Sequence, residues 1–227
     1  TIHLNPGKIV GQLRSTTHPD ATLGNQGNAP HAPISTSAPY DLESQWEGAT
    51  KRDYAIVNTN TGATTKALTR IRGQVRLSPA AKYAYGYDAI DSTWFTYSIA
   101  SGKHVKLTDG KTFFNELNDS PNFPRDYGSP GWTKDDASFL VYDRFDIWEF
   151  NPDTGAGTRI TKGRESKVVY RYVRLDDEER SIENKGKWLL TTFNETNKHS
   201  GYYELNRKNN RGPRPQFRPR KSHEPRH

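Results

Sequence analysis

The sequence predicts an all-β chain, a partial β-propeller of about three to three and a half four-stranded blades, and three observations carry that prediction. The stretch Leu77-Ser-Pro-Ala-Ala-Lys-Tyr-Ala-Tyr-Gly-Tyr, then Trp94-Phe-Thr-Tyr, Ser101-Gly102 and Leu107-Thr108, recurs as Trp132-Thr-Lys-Asp-Asp-Ala-Ser-Phe-Leu-Val-Tyr, then Trp148-Glu-Phe, Thr154-Gly155 and Ile160-Thr161. The offset is 55 residues from Ser78 to Thr133 and 53 from Leu107 to Ile160, a period that signals stacked supersecondary units. Thr61-Gly62, Ser101-Gly102 and Thr154-Gly155 each separate a pair of short apolar runs, and glycine there supplies the positive φ of a tight hairpin turn. Finally, Tyr83, Tyr85 and Tyr87 alternate with Ala84 and Gly86, the period of a strand.

Residues 1–45 are rich in Pro, Gly, Ser, Thr, Asn and Ala without an apolar period, which predicts an irregular extension. Within it, His3 to Val10 reads as a strand remaining from a preceding blade. Blades are expected over residues 46–206. Tyr54-Ala-Ile-Val-Asn and Thr64-Thr-Lys-Ala-Leu flank the first hairpin turn. The next blade begins with the turn Ser78-Pro79 and continues through strands over 82–87 and 94–99. Its copy begins with Lys134-Asp135-Asp136, followed by strands over 138–142 and 146–150. A third, less regular copy runs from Val168-Val-Tyr-Arg-Tyr-Val past the charged turn Asp176-Asp-Glu-Glu-Arg to Trp188-Leu-Leu-Thr-Thr-Phe and Tyr202-Tyr-Glu-Leu. Pro121, Pro124 and Pro130 mark residues 109–130 as an irregular insertion. After Leu205, closely spaced prolines prevent both helix and central strand, so residues 207–227 are expected to be a disordered tail.

Hydrophobic residues make up 32% of the 227, a low share, so the core must lean on nine Phe, five Trp and twelve Tyr. Without cysteine the chain has no disulfide, no thiol nucleophile and none of the common structural zinc sites. No segment is apolar enough for a membrane span or a signal peptide core, so a soluble chain with no membrane partner is expected. It begins with Thr1 and contains no methionine, which suggests a processed start or an internal piece of a longer reading frame. Arg207, Lys208, Arg211, Arg214, Arg218, Arg220, Lys221 and Arg226 stand in the tail beside one acid, Glu224. Setting these eight and Glu224 aside from the 33 Lys/Arg and 26 Asp/Glu leaves 25 of each, so the net charge of +7 belongs to the tail. Only that tail is suited to nucleic acid, by counterion release; its other reading is the out-of-register remainder of a truncated gene.

The run Gly131-Trp-Thr-Lys-Asp-Asp-Ala-Ser-Phe-Leu-Val-Tyr-Asp-Arg-Phe-Asp-Ile-Trp-Glu-Phe-Asn-Pro, with Arg171-Tyr-Val-Arg-Leu-Asp after it, resembles the N-terminal β-propeller of bacterial serine peptidases of the prolyl oligopeptidase family. Ile71-Arg-Gly-Gln-Val-Arg-Leu-Ser-Pro and Trp94-Phe-Thr-Tyr fit the same resemblance, which covers residues 40–206. In that family the propeller precedes an α/β-hydrolase domain with a Ser, Asp and His triad, and it filters or orients peptide substrates. The resemblance therefore implies peptide substrates and a hydrolase domain as partners, and a periplasmic or secreted location in a bacterium. The chain has no Gly-x-Ser-x-Gly elbow and no βαβ pattern to hold one, so no catalytic residue carries over. Alone it is expected to be inactive, its parent being a serine peptidase. The alternative is a stand-alone propeller that binds a protein or peptide, which would have to manage its open strand edges by dimerisation or further blades.

Five residues are candidate peptide or interface contacts. Asp143, Arg144 and Asp146 could bind a charged ligand where inner-strand loops converge at the propeller axis, or form an ion pair and turn hydrogen bonds within one blade. Glu178 and Glu179 could hold a peptide's free amino group, a role the resemblance implies through relatives that remove dipeptides, or form a solvated charged turn. Ser78 lies in a Ser-Pro turn, and Ser200 adjoins His199 only in sequence, so neither reads as a nucleophile. Trp94, Trp132, Trp148 and Tyr142 recur at matching repeat positions, as blade packing requires. The seven histidines lack ligand spacing, so neither metal nor cofactor is expected.

Overall fold

A computed structural model of the chain describes residues 29–48, 50–176 and 178–207, together with the backbone of three two-residue strands before them. Two of these, β1 (Leu4–Asn5) and β2 (Lys8–Ile9), pair as a hairpin within the patch His3 to Val10. The rest is a partial β-propeller of four antiparallel sheets, each an up-and-down meander in chain order. Blade 1 comprises β3 (Asp20–Ala21), β4 (His31–Thr36), β5 (Arg52–Asn58) and β6 (Thr64–Ile71). Blade 2 comprises β7 (Arg76–Leu77), β8 (Tyr83–Asp88), β9 (Thr93–Ser98) and β10 (His104–Lys106). Blade 3 comprises β11 (Gly131–Trp132), β12 (Phe139–Tyr142), β13 (Ile147–Phe150) and β14 (Gly157–Arg159). Blade 4 has three strands, β15 (Val168–Tyr172), β16 (Lys187–Asn194) and β17 (Ser200–Asn206). Among the described residues the one α-helix, α1 (Asp41–Glu47), lies in the β4–β5 connection and ends on Gly48 at φ +65°.

Strand alternation sends neighbouring side chains to opposite faces of a blade, and blade 3 uses both. Phe139 and Val141 join Tyr83, Tyr87, Trp94 and Trp132 in the core toward blade 2. Leu140 and Tyr142 join Val168, Tyr170, Trp188 and Leu190 in the core toward blade 4. A third core sets Tyr54, Ile56 and Leu68 of blade 1 against Ala84, Phe95 and Tyr97 of blade 2. The Trp132 ring lies parallel to Tyr83 at a centroid distance of 5.3 Å and meets Tyr85 edge-on at 5.3 Å. The expected reliance on aromatics is thus concentrated between blades.

The turns repeat as faithfully as the cores. Asp88 and Asp143 close the β8–β9 and β12–β13 turns in the same way: Asp88 Oδ1 accepts from Ile90 N at 3.1 Å and Asp143 Oδ1 from Phe145 N at 2.8 Å. Thr108 and Thr161 take the amides of Trp94 and Ile147, at 2.9 and 3.0 Å. One feature differs from the sequence-based expectation. Residues 31–36, expected within an irregular extension, form β4, which is buried along its middle and carries Pro33, so neither alternation nor composition marks it as a strand. The insertion at 109–130 is tied together by an isolated antiparallel bridge between Phe114 and Asp126. The expected tail beyond 207 lies outside the described residues.

Candidate functional site

The β12–β13 turn holds three of the candidate residues. Asp143 is buried and faces four donors: Phe145 N and Asp146 N at 2.8 and 2.6 Å, Trp148 Nε1 at 3.1 Å and Arg164 Nη2 at 3.4 Å. Asp146 is buried too, and accepts from Thr161 Oγ1 at 2.7 Å, Gly163 N at 2.5 Å and Arg164 N at 3.2 Å. Burial pushes its carboxyl above the usual range, against the pull of those donors. Arg144 forms an ion pair with Glu195 at 2.8 Å, and Arg164 forms one with Glu116 at 2.6 Å. The two guanidinium groups lie 5.0 and 5.2 Å from the Phe145 ring centroid. This network joins the blade 3 turn to the β16–β17 hairpin and to the insertion, so its charges are largely met inside the protein. Asp143 and Arg164 also line an open cleft of about 520 Å³ with Lys111, Phe113, Glu116 and Trp148.

Glu178 and Glu179 lie elsewhere, in the β15–β16 connection, and neither lines that cleft. Glu178 is exposed, with its amide on Asp176 Oδ1 at 2.9 Å. Glu179 is half-buried and accepts from the Tyr172 hydroxyl at 3.4 Å, and that hydroxyl is pushed up to about 12 by burial and the Glu179 charge.

A second groove, of about 580 Å³, is lined from residues in or next to β7, β11 and β15, the first strands of three consecutive blades, and it too leaves both glutamates outside. Blades of a propeller are set radially around a central channel, so first strands converge on the axis. Arg72 and Arg76 come from the segment entering blade 2, Asp126 and Ser129 from the segment entering blade 3, and Arg174 from just after β15. Tyr85, Tyr87 and Trp94 complete its aromatic wall. Arg76 is held by Gln74 Oε1 at 2.8 Å, Arg174 donates to Pro130 O at 3.2 Å, and the Arg72 guanidinium sits 4.4 Å from the Phe123 ring centroid. Among the described residues no carboxylate pairs with any of the three arginines, and Arg72 Nη1 and Trp94 Nε1 are buried without a hydrogen-bond partner. Burial raises the Asp126 carboxyl above its usual range. Ser129, the serine of this lining, donates to Leu140 O at 2.5 Å and accepts from Gly131 N at 2.9 Å, a brace for the turn.

Sequence reasoning missed this groove, because its three arginines belong to a body of balanced charge and are brought together only by the blade order. Among the described residues no cluster of three or more His, Cys, Asp or Glu is placed to hold a metal.

No protein-family model matches the chain, and no curated protein matches it. Solved structures to which it is similar include TolB from Acinetobacter baumannii, 15% identical with a TM-score of 0.38 over 70% of this chain and 36% of that one. Dipeptidyl peptidase 4 from Porphyromonas gingivalis is 11% identical with a TM-score of 0.46, over 89% of this chain and 34% of that one. The β-propeller domain of the Trilobed protease from Pyrococcus furiosus is 13% identical with a TM-score of 0.36, over 85% of this chain and 70% of that one. The chain thus spans well under two thirds of the first two proteins. Its fold stands on its own sheet topology, and no activity or ligand passes to it from these likenesses.

Proposed function

We propose that the chain is the non-catalytic propeller portion of a prolyl oligopeptidase-like serine peptidase, which gates or orients peptide substrate for a hydrolase domain. The observation that supports this reading is the axial groove. Its volume of about 580 Å³ falls in the range of ligand pockets, roughly 300–1,000 Å³, and its lining mixes aromatic faces with fixed cationic donors. Its serine is occupied as a turn brace and no histidine lines it, so its chemistry is that of holding a ligand. Titration of the intact chain with N-acetylated tetrapeptides, followed by tryptophan fluorescence, should give saturable binding, while a fluorophosphonate probe should label no serine. Serine labelling, or the absence of any saturable peptide binding, would overturn the reading.

A stand-alone interaction module is the second reading, favoured by the face of blade 4 turned away from blade 3. Thr191, Phe193, Tyr202 and Glu204 are exposed there, and Lys187 pairs with Glu204 at 2.9 Å. The face thus mixes two exposed aromatic rings with polar and charged groups, the composition of a surface that could meet a protein partner. Under this reading the chain sediments as a monodisperse monomer and unfolds in one cooperative transition.

A further inference from the structure

We propose that the groove between Arg72, Arg76 and Arg174 is a carboxylate-binding site that takes the C-terminal carboxylate of a peptide. The peptide half of this assignment rests on the reading above; the carboxylate half rests on the groove's own chemistry. Three guanidinium groups line one groove that contains a single carboxyl, Asp126, and among the described residues none of them has a carboxylate partner. An unmet buried donor is rare in a folded protein and destabilises it. Here Arg72 Nη1 and Trp94 Nε1, on two residues of the same lining, are both in that state.

Arg72 is well placed to wait for an acceptor. Its backbone is pinned on both sides, by its amide on Asp88 Oδ1 at 3.1 Å and its carbonyl under Ala89 N at 2.9 Å. The Phe123 ring packs against its guanidinium, and the planar fork of that group has the geometry of a two-pronged bond to a carboxylate. Arg76 and Arg174 are fastened by neutral acceptors, Gln74 Oε1 and Pro130 O, with the Asp126 carboxyl near Arg76. Tyr85, Tyr87 and Trp94 supply a wall suited to the residues that precede a terminal carboxylate.

The test is calorimetric titration of the intact chain, at low salt, with N-acetyl-trialanine bearing a free carboxylate, with its C-terminal amide, with acetate and with inorganic phosphate. The free acid should bind about tenfold or more tightly than the amide, the loss expected when a charge-assisted pair is missing. Arg72→Gln should abolish that difference and Arg72→Lys should restore some of it, with unfolding midpoints confirming that both variants fold. Equal binding of acid and amide, or a difference that survives Arg72→Gln, overturns the carboxylate site while leaving peptide binding intact. If neither peptide binds but acetate binds in an Arg72-dependent way, the carboxylate site stands and the peptide reading falls. Phosphate binding as tight as that of the free acid overturns the assignment to a carboxylate.

Discussion

Gly62, Gly102 and Gly155 do one job in three blades, and Lys198 does it in the fourth. At each hairpin a side chain at the strand end, Asn58, Ser98, Asn151 or Asn194, accepts from the amide three residues on, at 3.1, 3.3, 3.0 and 3.2 Å. The next residue then takes φ of +75°, +70°, +75° or +61°. A side chain in that conformation costs about 1 kcal/mol, so Gly62→Ala, whose added Cβ meets nothing within 4 Å, should destabilise by about that amount. Gly155→Ala should cost more, because its Cβ would sit 3.2 Å from Val105 Cγ1, and urea denaturation of the two variants checks the order. A second prediction concerns Asp126, whose carboxyl is raised by burial, against Gly128 N and the nearby Arg76. A folded-state pKa above the unfolded value of about 3.9 gives stability that is fully present below that value and lost as pH rises through the folded one. Asp126→Asn keeps an oxygen for Gly128 N but cannot ionise, so its stability relative to the parent should be better at pH 7 than at pH 4. Denaturation at both pH values would refute this if the difference were constant or reversed.

Between elements, one buried carboxylate latches blade 2 to blade 3. Asp136, at φ +57°, accepts from Ser78 Oγ at 2.5 Å, Ala80 N at 3.1 Å and Lys82 N at 3.3 Å, and Ser78 Oγ in turn accepts from Tyr83 N at 3.0 Å. Asp136→Ala would strand these donors and should cost about 3 kcal/mol. Hydrogen exchange should speed up at the amides of Ala80 and Lys82 while those of β5 keep their protection; unchanged exchange at Ala80 would remove the latch from the account. The sequence marks Ser78-Pro79 and Lys134-Asp135-Asp136 as turns, but nothing local shows that one turn closes on the other. The same limit explains what is legible. Blades 2 and 3 declare themselves through Gly-marked hairpins and repeated aromatics. Blade 4's hairpin is harder to see because Lys198 stands where glycine would signal it, and β4 is hidden by Pro33. At the site, Asp143, Arg144 and Asp146 read as a charged turn from sequence alone, whereas the axial arginines need the fold to bring residues 72, 76 and 174 to one groove.

At the scale of the molecule, the four blades pack through three successive cores, so each blade leans chiefly on its neighbours and the terminal faces decide how the array meets its surroundings. In β16 that decision alternates residue by residue. Trp188, Leu190 and Thr192 turn toward blade 3 and are buried, while Thr191 and Phe193 turn outward, opposite Tyr202 and Ser200 of β17. Two adjacent threonines therefore stand in opposite environments, and the same substitution at each reads the outer face directly. Thr192→Glu forces a charge into the core beside Tyr170 and should cost about 3 kcal/mol or more. Thr191→Glu places its charge in water and should change stability by less than about 0.5 kcal/mol, with the chain sedimenting as a monomer. A Thr191→Glu chain as damaged as Thr192→Glu, or a parent chain that sediments as a dimer which Thr191→Glu dissociates, would mean that blade 4 ends against a second copy instead of solvent.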